Sequence, residues 1–298
     1  MYQNQLIKET GGDKLFTVLI CVASSVILVA VLYPLVYVVS ASFSSPTALM
    51  SGRVWLFPVE PGLEGYKAVF EYKDVWTGYA NTIFYTVAGT IINVVLTIAA
   101  AYPLSRKDFY GKKLILLLFT FTMIFSGGMI PTYLLVKELG ILNTPWAMLL
   151  PNAMSVFNVM VAMSFFRSNI PDELLESAKL DGCSNFRFLV SVVLPLSGAI
   201  IAVITLFYAV EHWNSFFDAL LYLSDKSLFP LQIFLREILL LNSSDSLTMN
   251  IDDQNQRIYL NELLKYSLIV FSSAPLILIY PFVQKHFVKG VMIGSIKG

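Results

Sequence analysis

Six long stretches of the chain contain no Asp, Glu, Lys or Arg. They are residues 15–52 (apolar over roughly 15–40), 75–105, 114–136, 139–166, 188–210 and 266–284. A bilayer-spanning helix needs about 20 mostly apolar residues, so each stretch is long enough to cross. Their apolarity is continuous rather than alternating, and backbone groups inside a bilayer need partners within their own segment. The sequence therefore predicts an all-α membrane protein with six transmembrane helices.

The composition excludes several other classes of protein. Hydrophobic residues make up 56% of the 298 residues and charged residues only 13%, against about 25% charged in a soluble domain. The 20 Lys and Arg balance the 20 Asp and Glu. A soluble enzyme, a disordered chain and a basic nucleic-acid binder are therefore excluded, and the lipid bilayer is the predicted partner. The two cysteines, Cys21 and Cys183, form no metal-binding or redox motif.

The distribution of basic residues predicts the orientation in the membrane. With the N-terminus inside, the inner segments carry more than twice the density of Lys and Arg found in the outer segments. Because basic residues concentrate in cytoplasmic loops, both termini are predicted to be cytoplasmic. The predicted divisions are a cytoplasmic N-terminus over 1–14, a six-helix transmembrane domain over 15–284, and a cytoplasmic C-terminal tail over 285–298.

Prolines interrupt most of these stretches and predict bends within them. Proline is also commoner in membrane helices than in soluble ones, so a single proline does not demand a functional explanation. The cluster Gly127-Gly128-x-x-Pro131 is denser and predicts a hinge or a cavity. The prolines concerned are Pro34, Pro103, Pro131, Pro151, Pro275 and Pro281.

The loop over 171–191, between the fourth and fifth stretches, predicts two short helices. The first covers about 171–181, and Gly182 is suited to end it in the left-handed conformation. Ser184 can cap a second helix that runs to about Ser191. Pro171, Leu174, Leu175 and Ala178 would form one apolar stripe, with Asp172, Glu176 and Lys179 on the opposite face. Such a helix is too short to cross a bilayer, but it could lie on the membrane or dock in a partner's groove.

The pattern Glu176-Ser-Ala-x3-Gly182-x9-Val192-x-Leu194-Pro195 resembles the Glu-Ala-Ala-x3-Gly-x9-Ile-x-Leu-Pro signature of ABC importer permease subunits. Ser177 and Val192 depart mildly from it. Three further stretches are similar to carbohydrate-type permeases of the maltose type, and most to the subgroup for polysaccharide fragments. These stretches are Ser126-Gly-Gly-Met-Ile-Pro-Thr-Tyr133, His212-Trp-Asn-Ser-Phe-Phe217 and the tail from Phe287 to Gly298.

The resemblance implies an assembly in the bacterial cytoplasmic (inner) membrane. Its partners would be a second homologous permease subunit, as a heterodimer, two cytoplasmic ATPase subunits, and an extracytoplasmic solute-binding protein of lipoprotein type. The loop 171–191 would be a cytoplasmic coupling helix between spans 4 and 5. The residues that the resemblance assigns to the ATPase interface are Glu173, Glu176, Ser177, Ala178, Asp181, Gly182, Leu194 and Pro195, together with Gly294, Lys297 and Gly298 of the tail.

A polar and aromatic cluster near the outer end of the fifth stretch is a candidate substrate path. It comprises His212, Trp213, Asn214 and Phe217, and sugars favour surfaces that combine aromatic faces with amides. An interfacial aromatic belt is the alternative interpretation. By resemblance, the outer loop 219–265 can meet the binding protein; a plain linker is the alternative.

The expected function is that of a permease subunit that imports oligosaccharides or polysaccharide fragments by alternating access. The chain has no G-x-x-x-x-G-K-[ST] motif, so ATP and Mg²⁺ are expected on the partner ATPase, with no cofactor, metal or catalytic residue in this chain. Two alternatives stay open: an ABC permease for another class of solute, or a secondary transporter, which would show two similar halves and intramembrane charges.

Overall fold

The computed structural model describes residues 11–241, 259 and 264–281, and all regular elements in this part are helical. This agrees with the predicted all-α class. The helices are α1 (Gly11–Ser42), α2 (Pro46–Met50), α3 (Glu64–Glu71), α4 (Lys73–Ser105), α5 (Lys112–Ile124), α6 (Met129–Glu138), α7 (Trp146–Leu149), α8 (Val156–Asn169), α9 (Asp172–Leu180), α10 (Asn185–Phe188), α11 (Leu194–Leu196), α12 (Gly198–Trp213), α13 (Phe216–Tyr222), α14 (Leu231–Leu241) and α15 (Leu264–Pro281). A π-helical turn, Leu189–Val193, joins α10 to α11.

Internal contacts divide the chain into two compact units: the part up to Glu71 with Ile238–Phe271, and Tyr72–Glu237 with the part from Ser272 onward. In the first unit, Ser45 caps α2 by accepting the Ala48 N–H at 3.2 Å. The Ser42 hydroxyl lies 2.9 Å from the Tyr66 hydroxyl. The Ser42 carbonyl accepts the Ser267 hydroxyl at 3.2 Å. The last of these bonds ties the N-terminal part of α15 to the end of α1.

Helix α1 is the most apolar of the candidate spans. None of the residues in its most apolar 18-residue window is buried. Leu15, Phe16 and Ile27 each expose more than 60% of their area. So much contiguous apolar surface needs lipid or another protein around it. The first predicted stretch is thus one continuous helix, and Pro34 does not break it.

In the second unit, α4 packs most extensively against α12 and α8. Thr82, Gly89, Asn93 and Thr97 share one face of α4, because they recur at helical spacing. The Thr97 hydroxyl lies 2.7 Å from the Tyr208 hydroxyl of α12. Beyond Thr97 along α4, an apolar core forms where α4, α8 and α12 pack together. It comprises Ala101, Leu104, Val159, Ala162, Phe166, Ile200 and Ile204.

Two of the predicted spans are sharply bent. The axes of α5 and α6 make an angle of 114°, and the chain turns at Gly128, whose φ of +88° and ψ of 178° suit glycine alone. The axes on the two sides of Ser197 make an angle of 84°. Pro195 precedes this second bend; it cannot donate a helical hydrogen bond, and its ring crowds the carbonyl four residues earlier. The π turn just before it widens the helix at that point.

The stretch 139–166 was predicted to be one spanning helix, and that prediction is wrong. It contains the four-residue α7 and most of α8, with turns between them. Pro145 and Pro151 lie in these breaks. The 14 residues of α8 rise about 21 Å, short of the 30 Å hydrocarbon core. Within the described residues, three helices are long and apolar enough to span, or five if each bent pair is one span. The six-span count therefore stays a prediction.

Candidate functional site

Helix α9 has clear start and stop signals in its sequence. Asp172 and Glu173 occupy its first turn and Lys179 its last, which complements the helix dipole. Gly182 follows with φ of +73°, and the Cys183 N–H donates to the Ala178 carbonyl at 2.9 Å. This is the predicted left-handed glycine stop, and it satisfies a carbonyl at the end of the helix.

The predicted second helix begins where the sequence indicated. The Ser184 hydroxyl accepts the Arg187 N–H at 3.3 Å and caps α10. The helical path does not stop near Ser191 but continues through the π turn and α11 to Leu196. Leu194 and Pro195, assigned by resemblance to the ATPase interface, therefore lie in α11, well along the chain from α9. Leu194 is half-buried and Pro195 is exposed.

The inner face of α9 joins the core of the second unit. Leu175 is 5% exposed and belongs to the same buried cluster as Ile170 and Phe188. Ala178, one turn further, is half-buried against that cluster. The apolar stripe is thus narrower than predicted, because Pro171 and Leu174 are exposed.

The outer face of α9, meaning the face that points away from the apolar core, combines carboxylates with an exposed apolar side chain. Leu180 exposes 90% of its area, and Phe186 of α10 exposes 76%. Both side chains are therefore open to contact with a partner. The exposed residues of this face are Glu173, Glu176, Ser177, Leu180 and Asp181, followed by Gly182.

The charged residues at the two ends of α9 form ion pairs with the residues that follow α4. The Asp172 carboxylate binds Arg106 Nη2 at 3.2 Å and Lys107 Nζ at 2.7 Å. Lys179 Nζ binds Asp108 Oδ2 at 3.1 Å. We call Arg106-Lys107-Asp108, which follows α4 directly, the 106–108 loop. Of the three residues predicted opposite the stripe, only Glu176 remains unpaired among the described residues.

These ion pairs shift the titration of their members. The hydrogen bond from Lys107, reinforced by the charges of Lys107 and Arg106, holds the pKa of the Asp172 carboxyl below its ordinary value. The hydrogen bond from Lys179 likewise lowers the pKa of Asp108. The bond to Asp172 raises the pKa of Lys107. All three groups are therefore charged at neutral pH.

The sequence reasoning missed the 106–108 loop. It counted Arg106 and Lys107 only as basic residues that indicate the cytoplasmic side. The available signal was the order of charges, since two cations followed by an anion match the acidic start and basic end of α9.

The candidate substrate-path residues lie together in sequence but not on one surface. His212 and Trp213 are 4% and 6% exposed. The Trp213 Nε1–H donates to the Ser272 carbonyl at 3.0 Å. The His212 imidazole lies against Gly89 of α4. Asn214 and Phe217 are exposed, so only half of the cluster could meet a solute without a rearrangement. The tail residues Gly294, Lys297 and Gly298, and the polar part of the outer loop over 242–257, lie outside the described residues.

Long apolar helices, and a charged loop helix that docks on them by one face, define an integral membrane protein of the all-helical type. The chain matches the family described as "Binding-protein-dependent transport system inner membrane component" over residues 75–293. It belongs to that family, and it is therefore the permease subunit of an ABC-type importer rather than a catalytic subunit.

Individual relatives are similar over nearly the whole chain. Protein LplC of Bacillus subtilis (strain 168) is 43% identical over 89% of this chain and 89% of its own length. The polygalacturonan/rhamnogalacturonan transport system permease protein YtcP of the same organism is 40% identical over 89% of this chain and 92% of its own. A crystal structure of a bacterial ABC transporter involved in the import of the acidic polysaccharide alginate covers 94% of this chain and 99% of its own, with a TM-score of 0.85 and 33% identity.

Proposed function

We propose that this chain is one of two permease subunits of an ATP-driven importer of oligosaccharides or polysaccharide fragments in a bacterial cytoplasmic membrane. The second permease is a homologous chain, so that the pore is a heterodimer. Two cytoplasmic ATPase subunits bind and hydrolyse ATP with Mg²⁺, and this chain carries no cofactor. An extracytoplasmic binding protein, anchored as a lipoprotein, delivers the solute.

The observation that carries this proposal is the two-faced arrangement of α9. Its inner face is anchored through Leu175, which is 5% exposed. Its outer face offers carboxylates around Leu180, which is 90% exposed. A helix that transmits force to a partner needs an apolar contact for affinity and charges for register. The exposed members of the proposed coupling interface fit this arrangement best. The proposed interface comprises Glu173, Glu176, Ser177, Ala178, Asp181 and Gly182.

The proposed mechanism is alternating access. Closure of the two ATPase subunits on ATP draws their bound coupling helices together, and the attached membrane helices open the pore outward. Hydrolysis separates the ATPase subunits and restores the inward-facing state. This requires α9 to lie in the cytoplasm between spans 4 and 5, with both termini on that side. The excess of Lys and Arg in the inner segments supports that orientation.

Acidic saccharides are the proposed class of substrate. The 40% identical relative is named for polygalacturonan and rhamnogalacturonan, and the structural neighbour for alginate. Relatives named for arabinooligosaccharides and for melibiose, raffinose and stachyose are only 25% identical. Identity is thus higher to the proteins named for acidic polysaccharides than to these relatives, which favours fragments that carry uronic acids as the substrate.

Reconstitution of the importer tests this function. The two permeases, the ATPases and the binding protein are placed in proteoliposomes, and ATP-dependent uptake is measured for a trigalacturonate, a neutral arabinotriose and an amino acid mixture. Uptake of the trigalacturonate that requires ATP and the binding protein is expected. Uptake of amino acids alone would establish a different solute class, and uptake without the ATPases would establish a secondary transporter.

Two substitutions on α9 test the coupling role. Glu176→Ala removes an exposed carboxylate, and Gly182→Trp forces a bulky side chain into a left-handed position at the proposed interface. Both are expected to lower uptake per ATP hydrolysed, Gly182→Trp by about tenfold, while the permease stays in the membrane. Glu138→Ala at the end of α6 is the control, because Glu138 is equally exposed but distant in sequence from α9. Unchanged coupling in Gly182→Trp would refute the role of α9.

A further inference from the structure

We propose that the 106–108 loop is a positioning element that fixes the register of α9 against the end of α4, so that movement of α9 is passed to α4. This inference rests on the proposed function of α9 as the coupling helix. The loop itself carries no ATPase contact in the proposal; it acts through α9.

The contacts hold α9 at both of its ends. At the first turn, the two oxygens of the Asp172 carboxylate bind different cations, Arg106 and Lys107. In the last turn, Lys179 binds Asp108. Seven residues of helix, about 10 Å, separate the two attachment points. These two points of attachment add to the apolar contact of Leu175 and together define the direction of α9.

The order of the charges selects one register and one direction. A reversal of α9 would place Asp172 beside Asp108 and Lys179 beside the two cations, so that all contacts would become repulsive. Apposed like charges disfavour the wrong arrangement. The observed register is the one in which all three ion pairs form.

The 106–108 loop follows the long helix α4 directly, so its ion pairs attach α9 to the end of α4. Arg106 is the C-terminal cap of α4, and its N–H donates to the Pro103 carbonyl at 3.1 Å. The Arg106 carbonyl also accepts Lys112 Nζ, at the start of α5, at 3.2 Å. On the side facing α10 the packing is open, with a cleft of about 560 Å³ that is lined in part by Tyr102, Phe109 and Phe186. Three ion pairs therefore join α9 to this loop.

The expected contribution is to orientation rather than to stability. The Lys179 and Asp108 side chains are 49% and 60% exposed, and exposed ion pairs stabilise proteins very little. Arg106 is the most shielded member at 12%. Loss of the Lys179–Asp108 pair should leave the amount of folded permease unchanged and alter the coupling that depends on the direction of α9.

A charge swap in the complete importer tests this role. Asp108→Lys and Lys179→Asp each place like charges together, and the double variant restores the pair in reverse. Each single variant is expected to lower substrate uptake per ATP by about fivefold, and the double variant to recover at least half of the wild-type ratio. The neutral variants Asp108→Asn and Lys179→Gln, which remove the pair without repulsion, are used if a single reversal does not assemble.

Lys113→Asp is the matched control, because Lys113 is exposed and forms no ion pair among the described residues. It should keep the wild-type ratio of uptake to ATP hydrolysis. Hydrogen exchange of the α9 amides in the assembled importer is a second readout, faster in the single variants and restored in the double. Single variants with wild-type coupling and exchange, or a double variant without recovery, would overturn the inference. A wild-type importer without ATP-dependent uptake would instead overturn the proposed function. The hydrogen-exchange data would still test whether the 106–108 loop positions α9.

Discussion

Gly89 of α4 lies directly against a buried polar side chain of α12. A Cβ atom at this position would collide with the imidazole of His212. His212 is 4% exposed, and Tyr208, one turn earlier on the same helix, bonds to Thr97. The imidazole is therefore packed between α4 and α12.

The substitution Gly89→Ala is expected to lower the thermal stability of the purified importer. An extra methyl group in a filled helix contact costs about 1–3 kcal/mol. Gly198→Ala is the control, because Gly198 opens α12 and a Cβ there meets nothing within 4 Å. Thermal unfolding followed by tryptophan fluorescence in detergent should show a lower midpoint for Gly89→Ala only. Equal midpoints for the two variants would contradict the close packing.

The ion pairs of α9 should be insensitive to pH across the physiological range. The lowered pKa of Asp172 means that the native state favours the carboxylate. Its contribution is therefore fully present above the ordinary carboxyl pKa of about 3.9 and is lost only as the pH falls through the lowered value. Hydrogen exchange of α9, corrected for the intrinsic rate, should be constant between about pH 5.5 and pH 8. A marked loosening of α9 within this interval would show that another group controls it.

At the scale of elements, the sequence predicted those features that depend on local geometry. Gly182 was expected to end α9 because its φ would be positive, and the observed φ is +73°. Ser184 was expected to cap the next helix, and its hydroxyl accepts the Arg187 N–H. Each feature requires only a few neighbouring residues, so a single sequence suffices to find it.

Features that depend on distant parts of the chain could not be predicted in the same way. Asp172 and Lys179 were predicted only to lie opposite the apolar stripe, because their partners, in the 106–108 loop, lie about 70 residues away in the sequence. Trp213 looked like a sugar-binding residue, but its indole N–H bonds to Ser272. The stretch 139–166 is apolar enough to span, yet Pro145 and Pro151 interrupt it. Apolarity alone does not distinguish a continuous helix from a broken one.

The bend between α5 and α6 makes a prediction about two adjacent glycines. Gly128 has φ of +88° and ψ of 178°, a conformation that costs other residues about 1–3 kcal/mol. A Cβ on Gly127 would lie 3.7 Å from the Pro131 Cβ, which is an ordinary contact. Gly128→Ala should therefore reduce both the midpoint of thermal unfolding and uptake, while Gly127→Ala leaves both near the wild-type values. The reverse ranking would mean that space rather than backbone conformation determines the bend.

At the scale of the whole molecule, the neutral balance of 20 basic and 20 acidic residues hides an ordered distribution. The long apolar helices carry almost none of these charges. Several of the remaining charged residues form ion pairs with one another, as in the contacts of the 106–108 loop with α9. The chain thus places its charges where water or a partner can meet them and leaves α1 with a surface that suits lipid.

The two native cysteines provide a test of this arrangement in the membrane. Cys21 is exposed on α1, inside its apolar stretch, and Cys183 is half-buried just after Gly182. If α1 spans the bilayer, lipid shields Cys21 from a membrane-impermeant maleimide on both sides. If α9 is cytoplasmic, Cys183 reacts only in inside-out vesicles. Urea-washed vesicles are used, because the proposed ATPase would otherwise cover Cys183.

Right-side-out vesicles should show no labelling, and inside-out vesicles should show labelling that Cys183→Ser abolishes and Cys21→Ser does not. Full labelling of both thiols after solubilisation in SDS is the control for reactivity. Labelling of Cys183 in right-side-out vesicles would place α9 outside the cytoplasm and would refute the coupling role, whereas labelling of Cys21 in intact vesicles would show that α1 does not cross the membrane. Since the chain has only two cysteines, these two serine variants are enough to assign each result to one position.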